Sequence, residues 1–401
     1  MKQRKIANIV LVLAFAAFLA AAMVITLGKP QGGWSYYENR TLAQMEELTP
    51  QTLWDGTFAN SVEPTLQDHA AGRNTLLKLS AWMDMELFHR PVVNQVIPAE
   101  GMLLSWNPYE TPDPELIQQQ ADAMAGQLGE LRDVVESYGG KFYYVAVPGQ
   151  YTYFEEVHPD FLNNRDTYTD LEIPAFQQAM EEQGVTLIEM GEILAQQGNP
   201  PEYYSTVDYH YTFGGAYATY LAILERINQD FDHSLTVLDE DSLVRETLPN
   251  PYLGSRARKV FGLWETDEKL EIGLPAQPIP FTRTDNGQEV PATVYTLPSN
   301  DTDEVAYAAY MGGDIAETVI DTGRDELPPL LIYRRSIREK LLCYFRQLAD
   351  QEGEESFTLP FSLSTLADYI ALYQPDVVVG IRDYESLLST DYNGSPFEIQ
   401  P

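Results

Sequence analysis

The sequence predicts an α/β fold built on a parallel sheet and preceded by an N-terminal apolar helix. Three observations predict it. The near-continuous apolar run Phe142–Val147, ending at Pro148, has the composition of a strand buried on both faces. A helical stretch over 173–184 and a second strand over 186–190 follow, and strand, helix, strand at this spacing is a βαβ unit. Far downstream the same pattern resumes with the short strand Leu330–Tyr333 and the apolar strand Asp376–Ile381.

The N-terminus comes first along the chain. Lys2, Arg4 and Lys5 precede the run Ile6–Leu27, whose only strongly polar member is Asn8. At about 1.5 Å per residue a helix of that length spans a bilayer core of about 30 Å. A cleaved signal peptide has a shorter apolar region, about 7–15 residues. Ala20-Ala21-Ala22 nevertheless has the small side chains of a cleavage site. Run length favours an uncleaved anchor over 1–28. The basic flank then keeps the N-terminus cytoplasmic and exports the remainder, which is secreted if the segment is cut.

Residues 29–50, with Pro30, Gly32, Gly33 and Pro50, read as a stalk and lead-in. Residues 51–401 read as one extracytoplasmic domain. Its first part, 51–90, is helical, and 92–104 is a hairpin turning at Ala99-Glu100-Gly101. Pro112-Asp113-Pro114 opens an amphipathic helix over 114–138 with Leu116, Ala121, Met124, Leu128, Leu131, Val134 and Val135 mostly on one face, stopped by Gly139-Gly140. A helix over 213–227 carries Ala216, Tyr217, Tyr220, Leu221, Ile223 and Leu224, with Thr212 as its N-cap. Residues 250–320 turn rich in Pro, Thr, Gly and Val, with alternation as in Thr293–Leu297, and read as a β-rich insertion. Beyond Tyr333 the stripe Ile337, Leu341, Tyr344, Phe345, Leu348 predicts a helix to about 350. Phe357–Leu359 predicts a strand, and 363–372 a helix that ends at Gln374-Pro375.

Composition narrows the function. Among 401 residues the net charge is −35, which leaves nothing to neutralise nucleic-acid phosphates and no polybasic patch for a membrane contact by the exported part. The one cysteine, Cys343, allows no internal disulfide and reads as a small buried hydrophobe. His69, His89, His158 and His233 are scattered without zinc-ligand spacing and read as structural or surface residues.

Chemistry concentrates at Ser205–Ala216. Asp208 lies two residues before His210, immediately ahead of the 213–227 helix. An Asp that orients a His makes the His a usable general base. Alone, a D-x-H is more often a surface or capping pair, and a serine at a helix start is usually just an N-cap. A candidate nucleophile, Ser336, lies where the strand ending at Tyr333 gives way to the predicted helix. Open α/β folds place their sites at that carboxyl edge. Its own N–H, at a helix start, is an oxyanion-donor candidate, and the Gly312-Gly313 turn offers Gly313 as a second. Arg334 and Arg335 either bind an anionic substrate group or obstruct the pocket. Tyr151, Tyr153 and Tyr211 are candidates to line a sugar groove, with packing the commoner role for such tyrosines.

These segments resemble the DHHW proteins and the wider group of alginate O-acetyltransferase-like proteins, which have an SGNH-hydrolase-like fold. The resemblance rests on Tyr37-Glu38-Asn39-Arg40-Thr41-Leu42, Trp54-Asp55-Gly56-Thr57-Phe58 and Asp68–Arg73. It continues through Val147-Pro148, Val207–Thr212, Tyr310–Asp314, Leu330–Phe345 and Gln374–Val379. It implies a three-layer αβα sandwich around a central parallel sheet. It also implies roles for Asp208, His210 and Ser336 as a Ser-His-Asp triad. The family usually has Asp-Ser or Thr-Ser where this chain has Arg335-Ser336. The resemblance implies an exported O-acetyltransferase or acetylesterase acting on a cell-envelope or secreted polysaccharide. It implies no metal or organic cofactor, and a membrane-bound O-acyltransferase partner that passes acetyl across the bilayer. The rival expectation is an inactive polysaccharide-binding or assembly protein on the same fold.

Overall fold

The computed structural model describes residues 2–29, 31–106, 111–162, 166–231, 235–313, 315–324, 327–336, 339–345, 365–391 and 393–398; for 334–336 and 339–345 it describes the backbone. In chain order the elements begin with α1 (Lys2–Leu27), β1 (Trp34–Ser35), β2 (Arg40–Thr41), α2 (Pro50–Trp54), α3 (Thr57–His69), α4 (Arg73–Trp82) and β3 (Val96–Ala99). There follow β4 (Met102–Ser105), α5 (Pro114–Ser137), β5 (Lys141–Val147), α6 (Gln150–Tyr153), α7 (Asp166–Gln183), β6 (Thr186–Glu189), α8 (Met190–Gln196) and α9 (Phe213–Asp230). The remainder is β7 (Leu243–Thr247), α10 (Ser255–Lys259), β8 (Glu271–Pro275), β9 (Thr282–Asp285), β10 (Gln288–Val290), β11 (Glu317–Asp321), β12 (Leu330–Ser336), β13 (Glu339–Phe345), α11 (Leu366–Tyr373) and β14 (Val377–Asp383).

Two compact units result, Met1–Pro98 with Ser255–Thr266, and Ala99–Gly254 with Asp267–Pro401. In the first, α1 contains Asn8–Leu27, long and apolar enough to cross a membrane. The lead-in is tied down by charge. The Arg40 guanidinium donates to both oxygens of Asp68, at 2.7 and 2.5 Å, and the Ala43 N–H donates to the same carboxylate at 2.8 Å. Arg73 forks onto Glu38 at 2.7 and 2.9 Å. Beside this clasp, the buried His69 has its Nε2 2.9 Å from the Ala43 carbonyl. Fork-on-fork geometry gives each pair two parallel charge-assisted bonds, so the extended lead-in is held without an apolar core of its own.

The second unit is built on an eight-stranded sheet in the order β10-β9-β11-β13-β12-β14-β5-β6. Strands β12, β14, β5 and β6 run parallel, and a parallel stretch of this kind is buried on both faces. Alternation along β5 feeds the two faces. Phe142, Tyr144 and Ala146 join the core cluster with Ala121, Met124, Leu128, Leu131 and Val135 of α5, Phe176 and Met180 of α7, and Ile370 of α11. From the other face the Tyr143 hydroxyl donates to Asp230 of α9 at 3.1 Å. The expected three layers are therefore present. α5 begins where predicted, with Asp113 as N-cap accepting from the N–H groups of Glu115 and Leu116, and ends at a left-handed Gly139. Leu116, expected on its buried stripe, is instead exposed.

Several expectations are corrected. The 173–184 helix starts earlier, as α7, and carries Pro174 in its interior. Residues 339–345 form strand β13, antiparallel to β12, with Leu330 opposite Phe345 and Ser336 opposite Glu339, where a helix was expected. The run Leu341–Phe345 is five consecutive apolar residues, and such a run satisfies a buried strand as well as a helix face. Residues 346–350 and the Phe357–Leu359 strand lie outside the described residues. Within 250–320, β10 pairs with β9 and β9 with β11 at the edge of the main sheet, while β8 pairs with β7, which precedes this stretch, in a separate ribbon.

Candidate functional site

The segment between α8 and α9 is a loop closed on itself. Tyr204 and Tyr211 face each other as an antiparallel bridge, and the Ser205 N–H donates to the His210 carbonyl at 3.2 Å. Inside the loop the Ser205 hydroxyl oxygen accepts the N–H groups of Val207 and Asp208, at 3.2 and 2.9 Å. The loop is pinned to the carboxyl end of β5. The Tyr204 hydroxyl donates to the Pro148 carbonyl, and the Gln150 amide to the Ser205 carbonyl. Thr212 occupies the N-cap position of α9, yet its hydroxyl donates to the Glu202 carbonyl at 2.6 Å and makes no cap bond.

Asp208 is 2 % exposed, so its charge must be met by donors. Its Oδ1 accepts the Tyr209 N–H at 2.7 Å, the His210 N–H at 3.3 Å and the His210 Nδ1 at 2.7 Å. The Tyr252 hydroxyl bonds both Asp208 and Ser205. Burial, then the nearby Asp208 charge, pushes the Tyr252 phenol well above its usual range, so it stays protonated and donates. An ionised carboxylate only accepts, which places the imidazole proton on Nδ1 and leaves Nε2 as the basic nitrogen. The His210 ring lies parallel to Tyr307 at 3.5 Å between centroids, 2° between planes, with Tyr209 tilted against it at 3.9 Å. Gly254 passes so close beneath the loop that a Cβ there would meet the Val207 carbonyl oxygen at 2.3 Å.

Ser336 is the last residue of β12. Arg334 stands level with Ile381 of β14 and, through it, with Val145 of β5, so Ser336 stands two residues on, at the level of Asp383 and Val147. The backbone thus puts Ser336 on the same carboxyl edge as the Asp208 loop, two strand spacings or about 10 Å across from β5. Its hydroxyl, and the guanidinium groups of Arg334 and Arg335, lie outside the described side chains. Among the described residues the backbone that follows Ser336 is strand β13, which supplies no helix dipole for an oxyanion at its amide.

The other candidates are placed as follows. Gly313, at φ 96°, donates its N–H back to the Tyr310 carbonyl at 3.4 Å in a turn whose Met311 carbonyl accepts from the buried Arg283 at 2.6 Å. Tyr151 is buried against the His158 ring at 4.7 Å. Tyr153 is buried against Tyr204 at 4.3 Å and donates to the Pro200 carbonyl at 2.7 Å. Tyr211 is half-buried, edge-on to Tyr204 at 6.2 Å. Among the described residues no three His, Cys, Asp or Glu side chains gather to hold a metal ion. Sequence reasoning missed Ser205 as loop brace, Tyr252 and Tyr307. Ser205 could have been read from its spacing to Asp208, since a Ser three residues before a buried turn residue commonly caps backbone N–H groups. Nothing local marks the two tyrosines.

Residues 103–296 match the family model described as SGNH hydrolase-like domain, acetyltransferase AlgX. Among solved structures the chain is similar to PatB1 of Bacillus cereus carrying a sulfonyl adduct. That match has a TM-score of 0.55 and 16 % identity, over 76 % of this chain and 97 % of that one. It is also similar to a DHHW family protein from Eubacterium siraeum, at TM-score 0.53 and 15 % identity, over 77 % of this chain and 97 % of that one. At such identities the structural likenesses establish the fold. No curated protein matches the chain. The mixed α/β architecture with its central parallel sheet and the matched segment together show an SGNH hydrolase-like fold, and the chain resembles the DHHW and alginate O-acetyltransferase-like proteins.

Proposed function

We propose that this chain is an exported, membrane-anchored O-acetyltransferase or acetylesterase of a cell-envelope or secreted polysaccharide. Residues 1–28 are its anchor, 29–50 its lead-in and 51–401 its extracytoplasmic domain. The observation that carries the reading is the 2.7 Å bond from the His210 imidazole to the buried Asp208, on the sheet edge where β12 delivers Ser336. The matched acetyltransferase-type domain points the same way.

In this reading the Ser336 hydroxyl attacks the acetyl carbonyl as His210 Nε2 takes its proton. Collapse of the tetrahedral intermediate breaks the donor's C–O bond, and the leaving oxygen takes that proton from the imidazolium. A sugar hydroxyl, or water in an esterase, then attacks the acetyl-serine. It gives its proton to Nε2, and Ser336 Oγ recovers it on departure. Asp208 holds the ring and offsets the imidazolium charge in both halves. Arg334 and Arg335 hold an anionic group of the substrate. Acetyl arrives from a membrane-bound O-acyltransferase partner.

Bacillus cereus PatB1 has been captured with a sulfonyl adduct, and the same reagent class tests this chain. The full chain treated with a sulfonyl fluoride is expected to gain one adduct, located at Ser336 by peptide mass spectrometry, and to lose turnover of a chromogenic acetate. Turnover persisting in Ser336→Ala would remove Ser336 from the mechanism. No turnover and no adduct, with glycan binding retained, would leave the inactive binding protein.

A further inference from the structure

The catalytic histidine candidate is met from a segment nearly a hundred residues downstream. The chain at 251–252 is bridged to the chain at 305: Tyr252 pairs with Val305, whose N–H donates to the Pro251 carbonyl at 2.9 Å. From this pair of segments Tyr252 reaches the Asp208 carboxylate and Tyr307 lies flat on the His210 ring. Tyr307 is itself held. Tyr310 packs edge-on to it at 5.1 Å, and the Tyr310 hydroxyl donates to the Glu271 carbonyl. The turn beyond is gripped by Arg283 of β9, which donates to the carbonyls of Met311 and Thr293, each at 2.6 Å, and pairs with Asp285 at 2.9 Å. A ring braced through β9 to the main sheet is a fixed surface, and His210 rests on it.

We infer that Tyr307 is a positioning residue for His210: its π-face fixes the plane of the imidazole and favours the imidazolium that forms when Ser336 gives up its proton. This rests on the acyl-transfer reading for its role in turnover, while the stack itself does not. The negative face of an aromatic ring attracts a cation placed over it, and an imidazole at 3.5 Å is in van der Waals contact with that face. Also facing the ring are Asp208 at Nδ1, Tyr209 at 3.9 Å and, behind Asp208, Tyr252. Asp208 favours the cation along the ring edge, whereas Tyr307 acts on its face. The ring face, not the phenol oxygen, makes the stack, so phenylalanine should substitute for it.

The test is a pH titration of His210 in the full chain, labelled selectively at its five histidines with 15N and assigned through His210→Gln. In Tyr307→Leu the imidazole midpoint is expected to fall by about half a pH unit. In Tyr307→Phe it should stay at the wild-type value. Acetyl ester turnover should fall about threefold in kcat for the leucine variant with KM unchanged, and recover in the phenylalanine variant. An unmoved midpoint in Tyr307→Leu, or a Tyr307→Phe that behaves like it, overturns the inference. Independent of any variant, the carbon-bound ring protons of His210 in the unmodified chain should resonate upfield from ring current. Their appearance at ordinary positions overturns it too. Because the titration needs no turnover, a chain without acyl-transfer activity still answers it.

Discussion

Asp68 and Asp208 are both nearly buried carboxylates met by several donors, yet they serve opposite ends. Asp68 faces Arg40, Arg73 and the Ala43 N–H, all of which spend their hydrogen bonds on making the lead-in rigid. Arg40 cannot give up its proton, so that cluster can only hold. Asp208 faces two backbone N–H groups, a phenol and an imidazole. The imidazole alone has a second nitrogen that can take and return a proton. What sets the two clusters apart is the identity of one partner, not the burial of the acid.

The contrast can be broken at five residues. The largest effect is expected from His210→Ala, and from Ser336→Ala beside it: a loss of acetyl ester turnover of about a thousandfold or more, read by steady-state kinetics on the full chain, with thermal unfolding little changed. Asp208→Asn keeps the shape but turns an acceptor into a part-donor facing Nδ1. Turnover should fall by about 10³-fold while the fold survives in circular dichroism. Equal activity in this variant would make Asp208 a brace like Asp68.

Gly254→Ala forces a methyl group against the Val207 carbonyl oxygen and the Asp208 Cβ, at 2.3 and 2.9 Å. Urea unfolding should show a loss of about 1–3 kcal/mol, with turnover reduced as the loop shifts. The smallest effect belongs to the clasp. Arg40→Ala leaves Asp68 with fewer donors and should cost about 1–2 kcal/mol, with activity per folded molecule unchanged. Its pH signature is distinctive. The Arg40 guanidinium holds the Asp68 carboxyl at about 2, below the 3.8 of a free side chain. The clasp's contribution is therefore complete above that free value and is lost as the pH falls toward 2. Acid unfolding of Arg40→Ala should lose this dependence, and an unchanged acid transition would show that Asp68 gains nothing from its arginine.

Much of the frame was legible in the sequence because it repeats local rules. Pro114 and Gly139 punctuate α5, the apolar run of β5 has the composition of a doubly covered strand, and α9 starts at Phe213 as its stripe requires. The Asp208–His210 pair was legible for the same reason: two residues apart, they need only a turn to meet. Tyr252 and Tyr307 were not. Their positions depend on a bridge between segments that carry no periodicity, and a tyrosine in such a stretch looks like any other. The strand after Ser336 was misread because Ile337, Leu341, Tyr344 and Phe345 fall at helical spacing while Leu341–Phe345 also forms an unbroken apolar run. Sheet pairing with β11 and β12, a non-local term, is what separates the two.

The Tyr204–Tyr211 bridge has one more consequence. It ties a noose around six residues, so acid and imidazole share a single miniature ring whose internal bonds set their spacing. Such a ring moves as one body, so a displacement alters its contacts with Tyr252 and Tyr307 before it alters the 2.7 Å bond inside it.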